Sequence, residues 1–155
     1  MRYLILAIAI LAHSLGNTQG AISLSIDVSA DTILMANAFR LQYVIKNGEV
    51  RRFENPELKH FQLLQGPSKS SKISFINGAR TSEVVFTYFF KPNKTGKFEI
   101  PAFEMEIEGE VYTSNRPSIF VVDNPDGLHQ DPVSGQIEGR PLNVQKTARR
   151  KRFKI

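Results

Sequence analysis

The chain has no cysteine and no tryptophan, and histidine occurs three times in 155 residues. Without cysteine there is no disulfide framework and no thiolate to act as nucleophile or metal ligand. This absence does not fix a compartment. Past the first twenty residues only His60 and His129 remain, in different segments. No two histidines stand at helical spacing, so a zinc site lacks a donor set. No G-x-S-x-G elbow accompanies the many serines, which removes the usual setting for a Ser/His/acid hydrolase. His60 therefore reads as a surface or strand-edge residue. Helical periodicity is missing as well: nowhere do apolar residues recur every three to four positions over three turns.

One apolar run does occur. Leu4 to Ala12 is unbroken and follows Arg2. At about nine residues it has the size of a signal-peptide core and is well short of the roughly 20 residues that a membrane-spanning helix needs. Thr18-Gln19-Gly20 offers small residues at both ends of a cleavage triplet, which predicts a signal peptide over residues 1–20 with Ala21 as the mature N-terminus, a buried N-terminal helix being the alternative. No cysteine follows, so a lipid anchor at that point is excluded. The expectation is export, to a periplasmic or envelope-associated location.

The formal charge of +5 is unevenly placed. Residues 21–122 hold 12 Lys/Arg against 11 Asp/Glu, and residues 123–155 hold seven against four. The basic pI thus describes a tail rather than a nucleic-acid-binding face.

Strand patterns fill residues 21–122. Ile22, Leu24, Ile26 and Val28 alternate with polar residues, and Ala30-Asp31-Thr32 breaks the pattern. Phe39, Leu41, Tyr43 and Ile45 alternate up to Asn47-Gly48. Residues 49–59 are charged, and Pro56 opposes regular pairing there. Phe61 to Leu64 reads as a short strand stopped by Gly66-Pro67, followed by a small polar stretch. Asn77-Gly78 suits a two-residue type I′ hairpin turn, which would set Ile76 opposite Ala79 and Phe75 opposite Arg80. On the return arm Val84, Phe86, Tyr88 and Phe90 share the face best suited to a core. A turn at 91–96 leads to Phe98 and Ile100. Pro101 requires an edge, a bulge or a strand switch. Val111 to Thr113 and Ser118 to Val122 complete the set. Seven or eight short strands with turn signals between them predict an all-β, immunoglobulin-like β-sandwich. From Asp123 onward Pro, Gly and Asp dominate, so residues 123–155 are expected to be a linker and a disordered basic tail.

Two charge patterns could carry function. Glu104, Glu106, Glu108 and Glu110 alternate with Phe103, Met105 and Ile107; the first three would line one strand face. They read as a calcium site or docking stripe, or as the solvated face of a half-buried strand, the reading favoured by strict alternation. The tail carries Lys146, Arg149, Arg150, Lys151, Arg152 and Lys154 without an acid. It could meet anionic lipid headgroups or nucleic acid, or be a solvated end. Export argues against nucleic acid. Asn93-Lys94-Thr95 matches a glycosylation sequon, relevant in a eukaryotic secretory host.

The order Pro56, Phe61, Leu64, Gly66-Pro67-Ser68, Ile76-Asn77-Gly78, Tyr88, Lys91-Pro92, Gly96, Phe98-Glu99-Ile100-Pro101-Ala102, Gly109, Tyr112 and Ser114 resembles the first domain of the BatD, or oxygen tolerance (aerotolerance), family over about residues 22–122. The resemblance implies an exported β-sandwich without established catalytic residues or cofactor. It also implies partners among von Willebrand factor A-type Bat proteins and a MoxR-type ATPase system. Family members usually carry repeated domains and a C-terminal membrane helix; here one domain is followed by the basic tail, so the chain reads either as a short stand-alone member or as a truncated gene product. The functional expectation is a non-enzymatic module for protein–protein interaction or envelope-complex assembly, linked to oxidative stress tolerance. The alternative is an envelope surface-binding protein whose tail holds anionic lipid or polymer.

Overall fold

The computed structural model describes residues 20–50, 52–54 and 56–138. Nine strands make up the body of the domain: β1 (Ser23–Val28), β2 (Thr32–Leu34), β3 (Phe39–Lys46), β4 (Phe61–Ile76), β5 (Ala79–Pro92), β6 (Gly96–Glu99), β7 (Glu104–Ile107), β8 (Glu110–Thr113) and β9 (Ser118–Val122). Two short strands follow, β10 (His129–Gln130) and β11 (Ile137–Glu138). One sheet runs β1-β3-β5-β4, antiparallel throughout. Across the core lie a three-stranded sheet, β2-β9-β6, and the β7-β8 hairpin. The architecture is the expected all-β sandwich.

Period-two alternation builds the core. Leu24 and Ile26 from β1, Phe39, Leu41, Tyr43 and Ile45 from β3, and Phe86, Tyr88 and Phe90 from β5 are buried on one side. Ile33, Ile100, Ile107, Ile119 and Val121 meet them from the other. Each such side chain contributes about 1.5–3 kcal/mol relative to exposure. The aromatic rings pack edge-on or offset, as ring quadrupoles favour: Phe39 to Phe61 at 5.3 Å and Tyr43 to Tyr88 at 5.9 Å.

The β4–β5 hairpin turns at Asn77-Gly78 with φ of 50° and 77°, the positive pair that a type I′ turn needs. Its register is the expected one, Ile76 opposite Ala79 and Phe75 opposite Arg80. Pro101 lies where the chain leaves β6 and crosses to β7, a change of sheet that needs no ladder donor.

Four sequence expectations are corrected. Gly66-Pro67 does not end a strand: β4 runs through it for 16 residues, absorbing it with register shifts between Leu63 and Gln65 and between Gln65 and Ser68. Thr32 opens a strand rather than only breaking one, because β2 pairs in parallel with β9, Thr32 opposite Phe120. Glu108 is not on the β7 face; its φ of 55° makes it a turn residue with Gly109, and Ile107 pairs directly with Glu110. Finally, residues 123–138 are not a free linker. They fold back on the domain, with Gln130 only 3% exposed. The residues expected to form the signal peptide, apart from Gly20, and the basic tail lie outside the described residues.

Candidate functional site

A sheet edge presents unpaired N–H and C=O groups, and folded proteins usually cover, shorten or charge such edges. This sandwich has four edges in its two larger sheets, and it treats them unequally.

The middle of the β1 edge is capped by one side chain. Asn115, just after β8, accepts the Ile26 amide on Oδ1 at 2.6 Å and donates from Nδ2 to the Ile26 carbonyl at 3.0 Å. A primary amide carries the same donor and acceptor as a peptide group, so it substitutes for one residue of a neighbouring strand. Asn115 is positioned by Ser114, whose Oγ accepts the Phe103 amide at 3.0 Å and donates to the Asn115 carbonyl at 3.0 Å.

The β2 edge is closed in the same way from the far end of the chain. Gln130 Oε1 accepts the Leu34 amide at 2.9 Å, and Nε2 donates to the carbonyls of Thr32 and Gly135, both at 2.9 Å. Polar residues hold this cap in place. Asn37 accepts the Gln130 amide at 3.0 Å and donates to the Leu128 carbonyl at 3.0 Å. Asn124 donates to that carbonyl at 2.9 Å and accepts the Leu128 amide at 2.8 Å. Asp131 closes the following turn by accepting from the Val133 and Ser134 amides and the Ser134 hydroxyl. The Ser134 bonds hold the Asp131 carboxyl below the usual carboxylate range.

The third edge, β6, is four residues long, and Phe98 packs against Phe61 and His60. The fourth edge is β4. Its order in the sheet puts β5 on one side, and among the described residues no strand pairs with the other. Beyond Phe61 each described side chain of β4 is exposed, except for half-buried Ser74. Ile73 and Phe75 are 55% and 73% exposed, on the face shared with Phe86 and Val84. Lys69 lies on that same face with Nζ 5.7 Å from the Phe86 ring centre, and Lys72 lies on the opposite face across from Glu83.

A groove of about 660 Å³ opens beside β7. Tyr43, Phe53 and Phe103 contribute aromatic surface, and Glu104, Glu106, Glu108 and Arg52 contribute charge. Phe53 stacks on Phe86 at 4.1 Å and 7°, and Phe53 and Leu58 pack against the core from outside any strand. Burial, and then neighbouring Tyr88, push the Tyr43 phenol well above its ordinary range. The acidic residues do not converge: Glu104 and Glu106 are exposed along β7, Glu108 is in the turn, and Glu110 accepts the Tyr112 hydroxyl at 3.1 Å from β8. Among the described residues no group of three His, Asp or Glu is placed to hold a metal ion.

His60 is exposed in the turn before β4, with its ring 5.0 Å from Phe98 and its carbonyl accepting the Asn93 amide. His129 lies on β10, opposite Glu138. Lys146, Arg149, Arg150, Lys151, Arg152 and Lys154 lie outside the described residues. Sequence reasoning missed the two amide caps and the length of β4. A single Asn or Gln carries no signal that it will be buried, and a strand with both faces wet has no alternation to read.

No curated protein and no solved structure matches the chain. The family model described as the BatD DUF11 like domain matches residues 26–121, which takes in β2 to β8 in full, the second half of β1 and nearly all of β9, and the chain belongs to the BatD family.

Proposed function

We propose that this domain is an exported interaction module that works by binding rather than catalysis, adding an extended segment of a partner protein to β4. The observation that carries the reading is the unequal treatment of the sheet edges. Asn115 caps the middle of one and Gln130 closes another, the third is four residues long, and among the described residues nothing pairs with the outer side of sixteen-residue β4. Strand addition uses main-chain hydrogen bonds for affinity and alternate side chains for specificity.

The apolar run from Leu4 to Ala12 supports export to the envelope. Membership of the BatD family supports a role in assembling an envelope complex with von Willebrand factor A-type proteins and a MoxR-type ATPase, in the setting of oxidative stress tolerance.

Site-specific photo-crosslinking in cells tests the reading. A photoreactive residue replacing Ser70 on β4 should capture a discrete partner, and the same residue replacing Ser25 on β1 should not. Equal capture at both positions, or none at Ser70, would overturn the proposal.

A further inference from the structure

We infer that the segment received by β4 is an acidic strand of a different protein, running antiparallel to β4, with carboxylates opposite Lys69 and Lys72 and apolar side chains opposite Ile73 and Phe75. This inference rests on the reading of β4 as a docking edge.

The charges come first. Lys69 and Lys72 are the charged residues of β4, and both are exposed. They point to opposite faces of the sheet, because Lys69 stands across from core-facing Phe86 and Lys72 across from Glu83. Glu83 is itself paired with Lys46 at 3.8 Å. A strand laid along the edge would meet one positive charge on each face. Cross-strand opposite charges stabilise a pair, and like charges directly opposite destabilise it.

The apolar positions fix the rest of the pattern. Ile73 and Phe75 share the Lys69 face near the hairpin tip, past the last β3–β5 pair at Lys46 and Glu83. Apolar side chains on an added strand would shield both. Antiparallel pairing continues the order already present in this sheet and is slightly more stable per residue than parallel pairing. The partner then reads, from its N-terminus, apolar-x-apolar-acidic-x-x-acidic: the first residue opposite Phe75, the third opposite Ile73, the fourth opposite Lys72 and the last opposite Lys69.

A second copy of this chain fits less well. Pairing β4 with its own copy brings Lys69 and Lys72 from both molecules to the shared edge, with no acidic residue on either strand. An edge lysine is a recognised obstacle to self-pairing.

The experiment uses the purified chain and the peptide Ac-Thr-Val-Thr-Val-Glu-Thr-Thr-Glu-Thr-NH₂. Amide exchange along Phe61–Ile76 should slow on adding the peptide, and affinity should fall as salt rises. The Lys69→Glu/Lys72→Glu double variant sets a carboxylate across from Glu83, a small cross-strand cost, but both side chains are exposed, so it should fold, and it should bind about ten-fold more weakly. A peptide with lysine in place of both glutamates should bind the double variant better than the parent. The inference is overturned if the two peptides bind the parent equally, if protection appears at the β7 groove and not on β4, or if β4 becomes protected by concentration-dependent dimerisation without peptide. Crosslinking at Ser70 that survives the lysine reversal would retain β4 as the docking edge and remove the acidic partner.

Discussion

Gln130 accepts a hydrogen bond from the Leu34 amide at 2.9 Å, 96 residues away in the chain. This bond and its companion to Thr32 turn a segment beyond the matched family domain into the border of β2. Gln130→Ala leaves the Leu34 N–H of a buried residue without its acceptor. An unsatisfied buried donor costs about 1–3 kcal/mol, so urea unfolding should show a loss of that size. Truncation after Val122 should cost at least as much; a truncated domain as stable as the full chain would show that the cap is unnecessary.

Asn115→Ala tests the opposite edge. It removes an acceptor at 2.6 Å and a donor at 3.0 Å from the two backbone groups of Ile26. Both bonds are part-buried, so water replaces them only in part. The expected loss is again about 1–3 kcal/mol. A second effect separates this variant from ordinary destabilisation: with its cap gone, β1 should become prone to strand pairing, seen as self-association in sedimentation at concentrations where the parent stays dispersed.

The legible parts of this fold are those where one face is dry. β1, β3 and the buried half of β5 alternate because a core lies on one side, and Asn77-Gly78 set the hairpin register because the turn needs two positive φ angles. The illegible parts lack that asymmetry. Ser68 to Lys72 is strand with both faces wet, so its polar run reads as a loop. β2 spans three residues, too few for a period to emerge. Gln130 sits among Pro, Gly and Asp residues that ordinarily mark a linker, and its burial depends on Asn37 and Thr32 far away in sequence. The outer position of β4 and both amide caps thus depend on pairing relations, which one strand's pattern does not encode.

Tyr43 and Tyr88 give the domain an alkaline limit. Burial raises both phenol pKa values, with Tyr88 adding to the rise at Tyr43. A group whose folded pKa lies above its unfolded value of about 10 contributes stability that is complete below that pH and falls as pH climbs toward the folded value. The urea midpoint should therefore decline from about pH 10 upward. Tyr43→Phe should flatten part of that decline, and an unchanged slope in this variant would assign the alkaline loss to other groups.

Gly66 tests whether the irregularity within β4 is a built feature. Its φ of 128° lies where side chains are strained, and a Cβ there would stand 2.7 Å from Tyr88 Cδ1 and 2.9 Å from the Thr87 carbonyl oxygen. Tyr88 is fully buried, so the ring has little room to retreat. Gly78 shares the positive φ, at 77°, but a Cβ there would meet nothing within 4 Å. Gly78→Ala should thus cost only the backbone strain, about 1–2 kcal/mol, while Gly66→Ala adds an overpacking cost of about 1–3 kcal/mol. Thermal unfolding of the two variants side by side checks the order. If Gly66→Ala proved the milder change, the close approach of β4 to Tyr88 would not be what holds the strand in line through Gly66-Pro67, and the continuity of the sixteen-residue edge would need another cause.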